Sequence, residues 1–130
     1  MGFLAVIIAA AGGYALGAGW YMYLSKPWIE ASGIQVDENG RPVNSSPLPF
    51  ILAAIPMILV AGMMRHVFAM TGIESLGKGL LAGLGIGLFL ISPWIMINNA
   101  YSGRPFKLTL IDGGYATLGC GLIGAILALF

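Results

Sequence analysis

Charged side chains are scarce in this 130-residue chain. Only 8% of its residues are Asp, Glu, Lys or Arg, whereas an ordinary soluble domain carries roughly a quarter. Hydrophobic residues make up 58% of the chain, and the mean hydropathy is +0.91. The six basic and five acidic residues nearly cancel, which leaves no electrostatic footprint for nucleic acid. The composition therefore predicts an integral membrane protein.

Cysteine and histidine are rarer than the charged residues, with one residue of each, Cys120 and His66. A single cysteine excludes an internal disulfide, and the chain contains no CxxC motif or Cys/His cluster with the spacing of metal ligands. The methionines near His66 are more simply interpreted as packing residues than as ligands of a haem or metal. We expect no metal, no cofactor and no enzymatic activity, because no nucleophile and base stand at a useful spacing.

Four long apolar runs dominate the sequence. Since about 20 apolar residues cross a hydrocarbon core of roughly 30 Å, we predict transmembrane helices over about 2–24, 48–70, 76–97 and 108–130. The first run lacks a basic leading segment and exceeds the usual signal-peptide core of about 7 to 15 residues, so we expect it to be retained. The predicted fold class is an all-α membrane protein, a single domain of four transmembrane helices in a compact bundle.

The predicted helices carry stripes of glycine at a spacing of four residues. A small-xxx-small stripe lets a second helix approach closely in a membrane, where lipid offers no hydrophobic drive for association. The predicted packing residues are Gly13, Gly17, Gly79, Gly83, Gly87 and Gly124. These surfaces favour a small accessory or scaffold subunit that packs its glycine-rich faces against a larger membrane complex or against copies of itself.

The polar residues gather in two loops, 25–47 and 98–107. The first loop permits a small hairpin, because Ile34 and Val36 alternate with polar residues ahead of the Asn39-Gly40 pair and Val43 follows it. The two loops together carry four lysines or arginines, against two on the opposite side. The positive-inside rule therefore places both loops in the cytoplasm.

Three short segments resemble a known family. They are Trp20-Tyr21 with Lys26 and Trp28, then Asn98-Asn99 with Gly103-Arg104-Pro105, and Ile111-Asp112-Gly113-Gly114-Tyr115. Together they resemble the DUF1761 family of small bacterial four-helix membrane proteins, over most of the chain. The resemblance implies a four-helix protein of a bacterial membrane, which we expect to be the inner membrane. It leaves the function open, since the family has no assigned activity.

All three segments fall on the same predicted membrane side, where they would form a polar mouth lined by aromatic rings. The candidate ligand-binding residues are Trp20, Tyr21, Lys26, Trp28, Asn98, Arg104, Asp112 and Tyr115. Each has a structural alternative, because aromatic residues commonly form a belt at the membrane interface. Asp112 would be structural if it paired with Arg104 or Lys107, although acids inside membrane spans are often functional.

Two functions of different classes follow from these features. The first is the accessory subunit, whose partners would be the lipid bilayer and other membrane subunits or a second copy, with no nucleic acid. The second is a small transporter or ligand-binding membrane protein that holds its ligand at the polar aromatic mouth.

Overall fold

The computed structural model describes residues 2–40 and 47–130, and this part of the chain is helical without strands. Its helices are α1 (Gly2–Tyr23), α2 (Ser25–Ser32), α3 (Leu48–Thr71), α4 (Leu76–Tyr101) and α5 (Phe106–Ala128). All except α2 are long and apolar enough to cross a membrane. The predicted fold class, an all-α protein with four transmembrane helices, is confirmed.

Helix α4 is longer than predicted, because it continues past residue 97 to Tyr101. The extra turn is closed by hydrogen bonds to its last carbonyls, in which Ser102 Oγ donates to Asn98 O (2.7 Å) and Arg104 N donates to Asn99 O (2.8 Å). Gly103 adopts the left-handed conformation (φ 71°) that this reversal requires. The loop that follows is therefore short, and α5 begins at Phe106 directly after Pro105.

The predicted polar loop 25–47 begins with a helix. The chain bends at Leu24 (φ −102°, ψ 21°), α2 starts at Ser25, and Gly33 ends it in the left-handed conformation (φ 73°). Pro27 is the third residue of α2, in the first turn, where proline is tolerated. Farther on, Gly40 N donates to Asp37 O (3.0 Å) in a turn. The predicted hairpin cannot be followed beyond that turn, because Val43 lies outside the described residues.

The long helices are arranged around α5. Helix α4 packs along one side of α5 in the most extensive interface, α1 packs along the other side, and α3 packs mainly on α1. Small residues at these contacts bring the helices close together. The core contains small residues, among them Ala5, Ala9, Ala61 and Cys120, and larger ones, among them Met64, Phe68, Ile123 and Leu127.

The glycine stripe of α4 lies directly against α5. A Cβ added at Gly79 would stand 2.5 Å from Gly124 O, and one added at Gly83 would overlap Cys120 O. Gly87 likewise faces the backbone of Ala116 and Thr117. The backbones therefore meet where these residues have no side chain, as the small-xxx-small pattern predicts.

The glycines of α1 are also used inside the chain. A Cβ at Gly13 would lie 2.9 Å from Ile123 Cδ1, and one at Gly17 would lie 2.5 Å from Tyr115 Oη. All six predicted glycines pack helices, but the helix they meet belongs to the same chain. The fold of the chain therefore covers the glycine faces themselves.

Near its middle, α4 contains a π-helical turn, Gly87–Ile91. Pro93 follows this turn and cannot donate a backbone hydrogen bond, and such wider turns accommodate the lost contact. Ser92 Oγ donates to Gly87 O (2.7 Å) and also lies 3.1 Å from Gly113 O on α5. The turn therefore coincides with a polar contact between α4 and α5.

Candidate functional site

An acid lies inside the fourth transmembrane helix. Asp112 is the seventh residue of α5, about 9 Å from the first at 1.5 Å per residue, and it is half-buried. Tyr21, in the last turn of α1, donates a hydrogen bond from its Oη to Asp112 Oδ1 at 2.6 Å. This length lies at the short end of the range for O–H···O hydrogen bonds. The contact joins two of the sequence segments that were predicted to converge.

Two further aromatic rings contact the ring of Tyr21. The ring of Trp28, from α2, lies 6.0 Å from that of Tyr21 between centroids, at an interplanar angle of 77°. The ring of Tyr115, one helical turn beyond Asp112 on α5, lies 5.5 Å away at 78°. Such edge-to-face contacts are favourable. We call Tyr21, Trp28, Asp112 and Tyr115 the Asp112 cluster.

Two predicted site residues fasten α1 to α5 through their polar atoms. Trp20 Nε1 donates to Ile111 O (2.9 Å), and Tyr115 Oη donates to Gly13 O (2.8 Å). Gly114 makes room for the indole, since a Cβ there would lie 2.8 Å from Trp20 Cζ2. Trp20 thus has a structural role, while Tyr115 combines a structural hydrogen bond with a place in the Asp112 cluster.

The predicted basic residues lie at the rim. Arg104 is exposed and is a nearby positive charge for Asp112, but no ion pair within 4 Å joins the two. Trp28 is a side-chain hydrogen-bond partner of the acid. Lys107 instead meets Glu30 of α2 at 4.0 Å, with both side chains more than half exposed. Lys26 is also exposed. The acid therefore has aromatic neighbours and nearby positive charge, without a direct salt bridge to any residue that the structure describes.

The asparagine that the structure buries is Asn99, the neighbour of the predicted site residue. Asn98 is exposed, whereas Asn99 is 9% exposed and donates from Nδ2 to Thr109 Oγ1 at 3.0 Å. The sequence interpretation missed this pair because it ended the third span at residue 97. A helix that continues to Tyr101 turns Asn99 toward α5. This hydrogen bond fixes the ends of α4 and α5 beside the short loop.

No group of three or more His, Cys, Asp and Glu side chains that could hold a metal occurs within 2–40 and 47–130. His66 is exposed on α3 and Cys120 is buried at the α4–α5 contact. Neither residue takes part in the Asp112 cluster.

Four long apolar helices, one of them with an acid inside its span, define an integral membrane protein with a candidate polar site close to one end of the helices. The chain belongs to the DUF1761 family, described as a protein of unknown function, whose family model matches residues 4–128. That match includes all of the Asp112 cluster. No curated protein matches the chain, and no solved structure does.

Proposed function

We propose that this protein binds a small polar ligand at the Asp112 cluster, as a membrane receptor or transporter without catalytic activity. The observation that supports this proposal is the state of Asp112. An ionisable group within a membrane span is costly and is usually paired or functional. Asp112 accepts a hydrogen bond from Tyr21 and has no ion pair within 4 Å among the described residues.

The position of the cluster is suited to binding. Three helices contribute to it, since Tyr21 comes from α1, Trp28 from α2, and Asp112 and Tyr115 from α5. The cluster lies toward the end of α5 that carries the exposed Arg104 in the preceding loop. A ligand from the aqueous phase therefore has a short path to the carboxylate.

A ligand screen tests this proposal. The purified protein would be melted in detergent in the presence of polar small molecules, because a ligand that binds only the folded state raises its apparent stability. We expect at least one class of compound to stabilise the native protein and Asp112→Glu, but not Asp112→Asn. Trp94→Phe is the matched control, since Trp94 is 64% exposed on α4 and lies outside the cluster. Equal stabilisation of native protein and Asp112→Asn would contradict the proposal.

The accessory subunit is the second candidate, and the surfaces of α3 and α4 are compatible with it. Both helices present large apolar side chains outward, such as Leu59 (68% exposed), Leu81 (72%) and Phe89 (73%). Lipid or a larger membrane complex would cover these side chains equally well. Purification from gently solubilised membranes, followed by mass spectrometry, tests this candidate. A reproducible complex of fixed stoichiometry would support it, and a lone chain or small homo-oligomer would contradict it.

We further propose that the protein resides in a bacterial inner membrane with loops 25–47 and 98–107 in the cytoplasm, as the lysine and arginine count favours. Single cysteines at the exposed Glu38 and Glu74, in a Cys120→Ala background, would test the orientation with a membrane-impermeant maleimide. We expect intact cells to be labelled at residue 74 and not at residue 38. The reverse pattern would overturn the proposed orientation.

A further inference from the structure

Asp112 has no ion-pair partner within 4 Å among the described residues. The Tyr21 hydroxyl donates to its Oδ1 at 2.6 Å, and Trp28 is a second side-chain hydrogen-bond partner of the acid. The nearby basic residue Arg104 forms no ion pair with it, and Lys107 lies 4.0 Å from Glu30. A positively charged ligand would supply the counter-charge that no described residue brings into contact with the acid.

The surrounding rings favour the same sign of charge. Tyr21 stands nearly perpendicular to both Trp28 and Tyr115, with centroids 6.0 and 5.5 Å away. An aromatic face attracts a cation that lies within about 6 Å of its centroid, and proteins use this attraction to bind quaternary ammonium compounds. Three rings beside one carboxylate therefore combine two kinds of attraction for an organic cation.

An anionic ligand has less support. The basic residues at the rim, Lys26, Arg104 and Lys107, are all exposed, and Lys107 is shared with Glu30. No pair of them converges within the Asp112 cluster, and an anion placed there would meet both the carboxylate and the electron-rich ring faces. The position of Arg104 near the acid also means that it competes with a bound cation.

We propose that the ligand of the Asp112 cluster is a small organic cation, a protonated amine or a quaternary ammonium, whose charge binds Asp112 and the faces of the neighbouring rings. This inference rests on the proposed function and adds the class of ligand to it. Asp112 supplies the opposite charge, while Trp28 and Tyr21 supply the cation–π contact. Arg104 weakens cation binding by repulsion.

Fluorescence titration of the purified protein tests the inference. In a Trp94→Phe background the remaining tryptophans, Trp20 and Trp28, lie at or beside the cluster. The probes are choline and tetramethylammonium, the uncharged choline analogue 3,3-dimethylbutanol, and the organic anion pivalate. We expect saturable signals with the two ammonium compounds and none with the alcohol or the anion. Potassium chloride at matched concentration is the ionic-strength control.

The variants have different expected effects. Asp112→Asn should weaken choline binding by at least about tenfold, since it removes the negative charge opposite the ammonium group. Trp28→Leu should weaken it by about 2- to 30-fold, the range of a cation–π contact, while Trp20 still reports binding. Arg104→Gln should leave choline binding equal or tighter. Far-UV circular dichroism and monodispersity check that each variant is folded. If Asp112→Asn does not fold, Asp112→Glu, which retains the charge, is compared with the native protein instead.

Three outcomes separate this inference from the proposed function. Asp112-dependent binding of choline supports both. If the alcohol or the anion binds in an Asp112-dependent manner and the ammonium compounds do not, the cationic class is overturned and the proposed function stands. If no probe binds and the wider ligand screen also gives no Asp112-dependent stabilisation, both are overturned.

Discussion

Replacing Gly83 with alanine tests the close approach of α4 and α5. The Cβ added at Gly83 would overlap the carbonyl oxygen of Cys120 and stand 3.0 Å from Gly121 Cα. These are backbone atoms, which cannot rotate away as a side chain can. Gly85 provides a matched control on the same helix, because a Cβ there meets nothing within 4 Å.

The pair of variants isolates the cost of the overlap. Alanine favours a helix over glycine by up to about 1 kcal/mol, and this gain applies equally to Gly83→Ala and Gly85→Ala. Inserting a methyl group into a packed contact costs about 1 to 3 kcal/mol. We therefore expect Gly83→Ala to be less stable than Gly85→Ala by about 1 to 3 kcal/mol, because the propensity gain cancels in the comparison.

Reversible unfolding in mixed micelles, with increasing sodium dodecyl sulfate and circular dichroism as the readout, measures this difference. Gly85→Ala should unfold at or slightly above the midpoint of the native protein, and Gly83→Ala clearly below the midpoint of Gly85→Ala. Equal midpoints for the two alanine variants would refute the packing of Gly83 against Cys120. A lower midpoint in Gly85→Ala alone would mean that the Gly85 face of α4, and not the Gly83 face, packs against α5.

Two hydrogen bonds give further predictions. Tyr115→Phe removes the donor to Gly13 O and should lower the free energy of unfolding by about 0.5 to 1.5 kcal/mol in the same assay; an unchanged midpoint would contradict the contact. Asn99→Ala leaves Thr109 without its buried partner and should cost about 1 to 3 kcal/mol, whereas the exposed Asn98→Ala should be nearly neutral. Equal effects of the two asparagine variants would contradict the orientation of α4 in which Asn99, and not Asn98, faces α5.

Much of the fold could be predicted from the sequence because hydropathy and length alone constrain a membrane helix. The expected spans 2–24 and 48–70 agree with α1 and α3 to within one residue at each end. The errors lie where polar residues continue a helix, as at Asn98 to Tyr101, or begin one, as at Ser25. The ends of these segments depend on packing against neighbouring helices and on caps such as Gly33 and Gly103, which hydropathy alone does not report.

The glycine stripes show a second limit of sequence interpretation. The spacing of Gly79, Gly83 and Gly87 correctly indicates a face that another helix approaches closely. It cannot tell which helix, because the same pattern serves packing within a chain and between chains. The structure assigns the face to α5, and this removes the observation on which the accessory-subunit hypothesis first depended.

The candidate site was only partly predictable. The segments ending at Trp28 and beginning at Ile111 were expected on one membrane side, and the structure brings Tyr21, Trp28, Asp112 and Tyr115 together there. Sequence could not show which polar atoms are already used by the fold. The indole of Trp20, for example, binds a backbone carbonyl, an acceptor that every residue offers.

The most direct test of the ligand site is an equilibrium titration of the purified protein with the compound that stabilises it most in the ligand screen. We expect one site per chain, with binding at least about tenfold weaker in Asp112→Asn and largely retained in Asp112→Glu, because only the asparagine variant loses the charge. Equal affinity in the native protein and Asp112→Asn would contradict the assignment of Asp112 as the centre of the site.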